Sequence, residues 1–211
     1  MGEILERIAD QLYEGKHIEV ASLVQEALGT GYSASEVLAA LISGMDRVGR
    51  DFKAGELFVP EVLVAARAMH AGMAVLRPLL AETGVPRVGT YVIGTVQGDL
   101  HDIGKNLVRM MLEGAGFEVI DLGTDVAPER FVTAVKEHRP QIVGMSALLT
   151  TTMVRMRDTI EALEAAGLRE AVKIMVGGAP LTAAYAEQIG ADAYAPDAAT
   201  AVEVARSLIR R

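Results

Sequence analysis

The chain contains no cysteine, which excludes disulfides, thiolate metal sites, iron–sulfur clusters and a cysteine nucleophile together. It has no Trp, and its aromatic residues are five Tyr and four Phe, too few for platforms on which single-stranded nucleic acid stacks. Excess positive charge is missing as well. The net charge is −8; residues 1–84 hold 7 basic against 12 acidic side chains and residues 85–211 hold 13 against 16. Neither half carries the electrostatic footprint of a nucleic-acid-binding face. No uninterrupted apolar stretch approaches the ~18 residues a membrane span needs, because Arg67, His70 and Arg77 break the richest one. The opening Met1-Gly2-Glu3-Ile4-Leu5-Glu6 lacks the basic start of a secretory signal. Glu6 also stands where myristoylation requires Ser or Thr. A cytoplasmic protein is expected, with neither nucleic acid nor membrane as partner.

What is present suffices for a core: 51% of the 211 residues are hydrophobic and 23% charged, the balance of a globular chain of one large or two small domains. Residues 1–84 read as helices alone. Ile4, Leu5, Ile8 and Leu12 mark a first amphipathic helix. Ile18, Leu23, Val24, Ala27 and Leu28 mark a second, ended by Gly29 and Gly31. Ser33 followed by Glu36 forms a capping box, and Val37, Leu41, Met45, Val48 and Phe52 make the stripe of a third helix, ended at Gly55. Pro60 suits the start of a fourth, where Val64, Ala65, Ala68, Met69, Gly72, Val75, Leu76 and Leu79 keep helical period to about residue 83. Four helices with short connections predict an antiparallel four-helix bundle.

Thr83-Gly84-Val85-Pro86 reads as a linker, and the pattern changes after it. Short, near-continuously apolar runs at 88–96, 117–122, 141–147, 172–176 and 193–194 alternate with helical stretches at 103–115, 128–138, 152–166, 180–189 and 198–210. Strands covered by helices on both faces look like this. The prediction is a helical domain over 1–84 and a flavodoxin/Rossmann-like, doubly wound, five-stranded parallel sheet over 88–211. Ligands of such sheets bind beyond the carboxyl ends of the strands, so the loops after strands one, three and four are where a site belongs.

The loop after strand one, Gly98-Asp99-Leu100-His101-Asp102-Ile103-Gly104-Lys105-Asn106, is the most unusual stretch. It is not a phosphate-binding Walker loop: five residues separate Gly98 from Gly104 where that motif has four, and Asn106 stands in place of the Mg-binding Ser or Thr. On these residues alone two readings stand. Asp99 or Asp102 caps the following helix and His101 is incidental. Otherwise His101 offers one ring nitrogen to a metal while Asp99 fixes the other. Zinc needs three or four protein ligands, and only His101, with Asp102 a weak second, is present. One ligand suffices where a macrocycle completes the coordination.

Asp99-x-His101-x-x-Gly104, then Ser146-Ala147-Leu148 after strand three and Gly177-Gly178 after strand four, resembles the cobalamin-binding signature of corrinoid proteins. The helical half is similar too. Gly44-Met45, Val48-Gly49, Phe52, Gly55-Glu56 and Phe58-Val59-Pro60-Glu61-Val62 resemble the cap bundle of methyl-carrying corrinoid modules, including that of methionine synthase. The resemblance implies cobalamin with its own base detached from cobalt and His101 as the lower axial ligand. Asp99 would bond the far side of the ring, and Thr152 would extend the relay where methionine synthase carries Ser. Gly104 would let the detached nucleotide tail pass, Ser146 and Thr150 would bond it, and Gly177-Gly178 would leave it room. Gly98, Asp102, Ile103 and Leu148 complete the cofactor-contacting set. Phe52 and Val59 would lie over the methyl-bearing upper face.

The resemblance further implies a carrier that takes a methyl group on cobalt from a substrate-specific methyltransferase and delivers it to a corrinoid:acceptor methyltransferase. The acceptor would be tetrahydrofolate or coenzyme M, and a reductive activation protein would restore oxidised cobalt. With no site of its own for methyl donor or acceptor, the chain would be catalytic only with these partners. Two alternatives share the fold. An adenosylcobalamin mutase subunit is not normally preceded by such a helical domain, and the familiar cobalamin-dependent sensors add a basic DNA-binding domain, which is missing here. His17, His70 and His138 read as inert, and the ten Met residues as core filler.

Overall fold

The computed structural model describes residues 2–83 and 88–210, the side chains of 81–83 excepted. Four helices come first: α1 (Glu3–Tyr13), α2 (His17–Gly29), α3 (Ala34–Ala54) and α4 (Val59–Thr83). They form one compact unit together with Gly114–Gly116, and the rest of the chain beyond residue 87 forms a second. The capping box opens α3: the Ser33 N–H donates to Glu36 Oε2 at 2.9 Å and the Glu36 N–H to Ser33 Oγ at 3.3 Å. Each residue thereby satisfies a backbone donor that the helix start leaves over.

The core of this unit is Ile8, Leu12, Val20, Val24, Leu41 and Met69, with Val62, Ala65 and Leu76 along α4. Two members of the expected stripes point outward. Ile18 is 70% exposed and Val64 48%. Each stands two residues, about 200° of helical rotation, from the inward rows that start at Val20 and Val62. By length and mean hydropathy (1.3) Val59–Leu80 could cross a membrane. In this fold its apolar row is instead the inner face of the bundle. Residues 84–86 of the expected linker lie outside the described residues.

The second unit is a five-stranded sheet of β1 (Thr90–Thr95), β2 (Glu118–Asp121), β3 (Ile142–Ser146), β4 (Lys173–Gly177) and β5 (Ala193–Ala195), every neighbouring pair parallel, in the order β2-β1-β3-β4-β5. Between and after the strands run α5 (Ile103–Gly114), α6 (Pro128–His138), α7 (Thr150–Met153), α8 (Arg155–Ala165), α9 (Ala183–Gln188) and α10 (Ala198–Ile209). One face of the sheet, with Val92, Val96, Val143, Met145, Ile174 and Val176, packs on Phe131, Met156, Ile160 and Leu163 of α6 and α8. Right-handed crossovers place α5 on the opposite face, because β1 to β2 runs against the direction of the later connections. This is the doubly wound architecture the sequence implies. The helix expected over 152–166 starts two residues early and is divided at Val154, whose backbone stays helical. The one expected from residue 180 starts at Ala183, because Thr182 caps it by accepting the Tyr185 N–H at 3.1 Å. The order reverses between β1 and β3, so the crevice of this fold opens between the loops that follow those two strands.

Candidate functional site

The β1–α5 loop is pinned before it reaches its histidine. Buried Thr95 donates its hydroxyl to the carbonyl of His101 at 2.9 Å, and the Asp99 N–H closes a turn on the Val96 carbonyl at 3.1 Å. Asp125, in the left-handed region at φ 53°, accepts the Gly98 N–H at 2.7 Å and donates its own N–H to the Asp99 carbonyl at 3.0 Å. Asp125 escaped the sequence reading; an aspartate is among the few residues that hold that backbone conformation.

Asp99 is fully buried and accepts four hydrogen bonds. Its Oδ1 takes the His101 backbone N–H at 3.0 Å and faces His101 Nδ1 at 2.8 Å. Its Oδ2 takes the Leu148 N–H at 2.8 Å and the Thr152 hydroxyl at 2.6 Å. Burial pushes the carboxyl upward, yet the donors from Thr152, Leu148 and His101 outweigh it and hold its pKa well below the usual carboxylate range. An ionised carboxylate accepts only. His101 Nδ1 therefore carries the proton, and Nε2 is the basic nitrogen of the ring. The His101 side chain is 52% exposed, so a buried anion orients an accessible imidazole, the arrangement that fixes tautomer and raises ligand basicity in metal-binding histidines.

Asp102 serves the helix: its carbonyl accepts the Asn106 N–H at 2.7 Å and its Oδ2 the Asn106 side-chain amide at 2.9 Å. Among the described residues no group of three or more His, Asp or Glu could hold a metal ion, so the site offers one accessible imidazole nitrogen. Lys105 is nearly buried and donates to both oxygens of Asp121 at 2.7 and 2.6 Å. It is committed to that ion pair, as a phosphate-binding lysine would not be.

Gly177 and Gly178 meet the same loops from β4. A Cβ on Gly178 would stand 1.8 Å from the Ala147 carbonyl oxygen, at φ 136°. The glycine thus lets the backbone preceding Leu148 lie where its N–H reaches Asp99. Ser146 ends β3 half-buried, Thr150 is exposed at the start of α7, and Gly104, in the first turn of α5, has open space about it. Ile103 (80% exposed), Leu148 (43%) and, unremarked in the sequence, Leu100 and Leu149 give the loops an apolar surface. Phe52, half-buried on α3, and Val59, the first residue of α4, belong to the helical unit. The residues at the end of β1 and β3 fit a corrinoid: a tautomer-fixed imidazole in an apolar surround, beside strand ends that carry only small side chains.

Comparison with known proteins agrees with this chemistry. Residues 89–205 match the family model described as a B12 binding domain, and residues 4–77 match a second model of the same description. Dimethylamine corrinoid protein 2 of Methanosarcina acetivorans is 45% identical over 208 residues, covering 98% of this chain and 96% of its own length. The crystal structure of a novel cobalamin-binding protein from Desulfitobacterium hafniense superposes with a TM-score of 0.80 at 36% identity, over 97% of this chain and 98% of that one. The methanol:cobalamin methyltransferase complex MtaBC of Methanosarcina barkeri contains a chain that superposes at 0.88 and 31% identity, over 99% of this chain and 80% of that one.

Proposed function

The chain belongs to the corrinoid proteins of the B12-binding family, and we propose that it holds cobalamin by His101, with the cofactor's own base off the metal, as a methyl carrier between two methyltransferases. Bound cobalamin supplies a cobalt centre that accepts a methyl group and gives it up again. The protein's residues supply position and proton control. His101 would hold the metal through Nε2, and Asp99 keeps Nδ1 protonated. The 2.8 Å contact from Asp99 to Nδ1 leaves Nε2 as the nitrogen that would meet a metal. Thr152 and the Leu148 N–H satisfy the far oxygen of that carboxylate. Ser146, Thr150, Gly104 and the Gly177-Gly178 pair line the way for the nucleotide arm.

The partners in this reading are a substrate-specific methyltransferase, an acceptor methyltransferase using tetrahydrofolate or coenzyme M, and a reductive activation protein, all in the cytoplasm. Relatives named for dimethylamine and for methanol support a small methylated compound as the donor. The observation that carries the reading is the 2.8 Å contact from a buried, ionised Asp99 to Nδ1 of an exposed histidine. The test is EPR of the cob(II)alamin-loaded protein with and without nitrogen-15 histidine. Splitting that changes with the label supports His101 on cobalt; splitting indifferent to it refutes that role.

A further inference from the structure

Lys105 and Asn106 close the motif that carries His101, and they lead to a second carboxylate, Asp121 at the end of β2. The Lys105 side chain is 2% exposed, and its ammonium has three N–H donors. Two go to the Asp121 oxygens at 2.7 and 2.6 Å and the third to Asn106 Oδ1 at 2.9 Å. Asn106 carries the connection on: its amide donates to Asp102 Oδ2 at 2.9 Å, and Asp102 directly follows His101. A second route leaves the same carboxylate. Asp121 Oδ1 accepts the Gly123 N–H at 2.9 Å, and the Gly123 carbonyl accepts the Thr95 N–H at 3.0 Å. Thr95, fully buried, donates its hydroxyl to the His101 carbonyl at 2.9 Å. That carbonyl and the Asp102 Cα belong to one rigid peptide plane, so the two routes hold the plane at two points. Arg109 also reaches Asp121, at 3.3 Å. Burial pushes the Asp121 carboxyl upward, yet the donors from Lys105 and Gly123 and the two cations hold it below its ordinary range.

We propose that Asp121 is a positioning residue for His101. Through Lys105 and Asn106 on one route, and Gly123 and Thr95 on the other, it fixes the peptide after the histidine and with it the direction of Nε2. This rests on the reading that His101 takes the cobalt. Asp99 grips the ring and the backbone N–H of His101, which settles which nitrogen is free. Asp121 holds the carbonyl side of the same residue, which settles where that nitrogen lies. An imidazole tethered on one side alone keeps its tautomer but swings with its loop. The Asn106 link separates positioning from stability, because it can be cut with the buried ion pair left whole.

The experiment compares the full chain with its Asn106→Ala and Lys105→Met variants. In K105M the Asp121 carboxylate keeps Arg109 and the Gly123 N–H; if that variant fails to fold, Lys105→Met with Asp121→Asn removes both charges and takes its place. Three-bond couplings in the apo chain read the His101 side-chain rotamer. Absorbance titration with cobinamide, a corrinoid without the nucleotide arm, reads the axial bond. The proposal requires both variants to average a rotamer that is single in the wild type. It also requires both to weaken cobinamide about tenfold, the scale of losing a group that orients a metal-binding histidine. An effect of K105M without one of N106A assigns the ion pair to stability alone and overturns the proposal. An effect of N106A without one of K105M, or silence in both, overturns it too. Nitrogen-15 histidine EPR of the cob(II)alamin-loaded wild type separates the two levels. A label-sensitive spectrum with silent variants removes Asp121 alone, whereas a label-insensitive spectrum removes the His101 reading and this proposal with it.

Discussion

Asp99→Asn changes one atom and leaves no good arrangement. The two carboxylate oxygens each face a backbone N–H and a second donor: His101 N–H and Nδ1 on one side, Leu148 N–H and the Thr152 hydroxyl on the other. An amide has one oxygen and one NH2 group. If its oxygen faces His101, the NH2 abuts the Leu148 N–H, and a buried donor goes unpaired at a cost of about 1–3 kcal/mol; Thr152 can turn to accept. If the amide flips, the NH2 faces the His101 N–H and Nδ1, and the imidazole must move its proton to Nε2. Either way the carboxylate that obliges Nδ1–H is gone. Urea unfolding at pH 7 should therefore show a loss of about 2 kcal/mol, small enough for a domain of ordinary stability to stay folded. Nitrogen-15 NMR of His101 should show Nδ1–H in the wild type and a mixed or Nε2–H tautomer in the variant. The pH dependence has a definite sign. Asp99 has a depressed folded-state pKa, so its stabilisation is complete above the unfolded value of about 3.9 and fades as pH falls toward the folded one. The gap between wild type and D99N should be flat from pH 8 to about 4.5 and narrow below. Wild-type stability with an unchanged tautomer in D99N would refute the account of this site.

Three further outcomes follow from the same geometry. His101→Ala should fold within about 1 kcal/mol of the wild type, because the ring is half exposed and Asp99 keeps three other donors; it should lose the histidine splitting from the cob(II) EPR spectrum, and failure to fold would count against this. Thr152→Val removes the 2.6 Å donor to Asp99 and should cost about 1–2 kcal/mol in urea unfolding, with Thr152→Ser restoring it; equal loss in both would assign Thr152 to packing. Gly178→Ala sets a Cβ against the Ala147 carbonyl at φ 136° and should destabilise by at least about 2 kcal/mol, with a shift of the His101 nitrogen-15 signals, because the Leu148 N–H is displaced from Asp99.

The layered fold was legible because the evidence for it is periodic. Apolar runs alternating with helical stretches announce a parallel sheet, and the switch point then locates the site in the loops after β1 and β3. Asp99 and His101 were legible because they are two residues apart. Asp125 was not, since what distinguishes it is its left-handed backbone beside Gly98, which no spacing announces. Ile18 and Val64 were misplaced because apolar residues adjacent to a helical row look like members of it until the start of the row is known. Gly177-Gly178 was visible as a motif; that the Ala147 carbonyl, 31 residues earlier in the chain, occupies the space of the Cβ missing from Gly178 was not.

These cases locate the control of His101 outside its own loop. A histidine two residues after an aspartate can bond it in many conformations, and in water that contact is weak. Here Asp99 is anchored on its far oxygen by the Leu148 N–H and Thr152, which follow β3, and the turn holding Leu148 is in place because Gly178 follows β4. The tautomer of the imidazole is thus fixed by the convergence of three parallel strands at their carboxyl ends. Cutting any one of them should loosen the same proton. Substitutions at Asp99, Thr152 and Gly178 should accordingly be strongly non-additive in their effect on the His101 nitrogen signals, although they lie on three different segments. Additive shifts would mean that the histidine is governed by its neighbour alone.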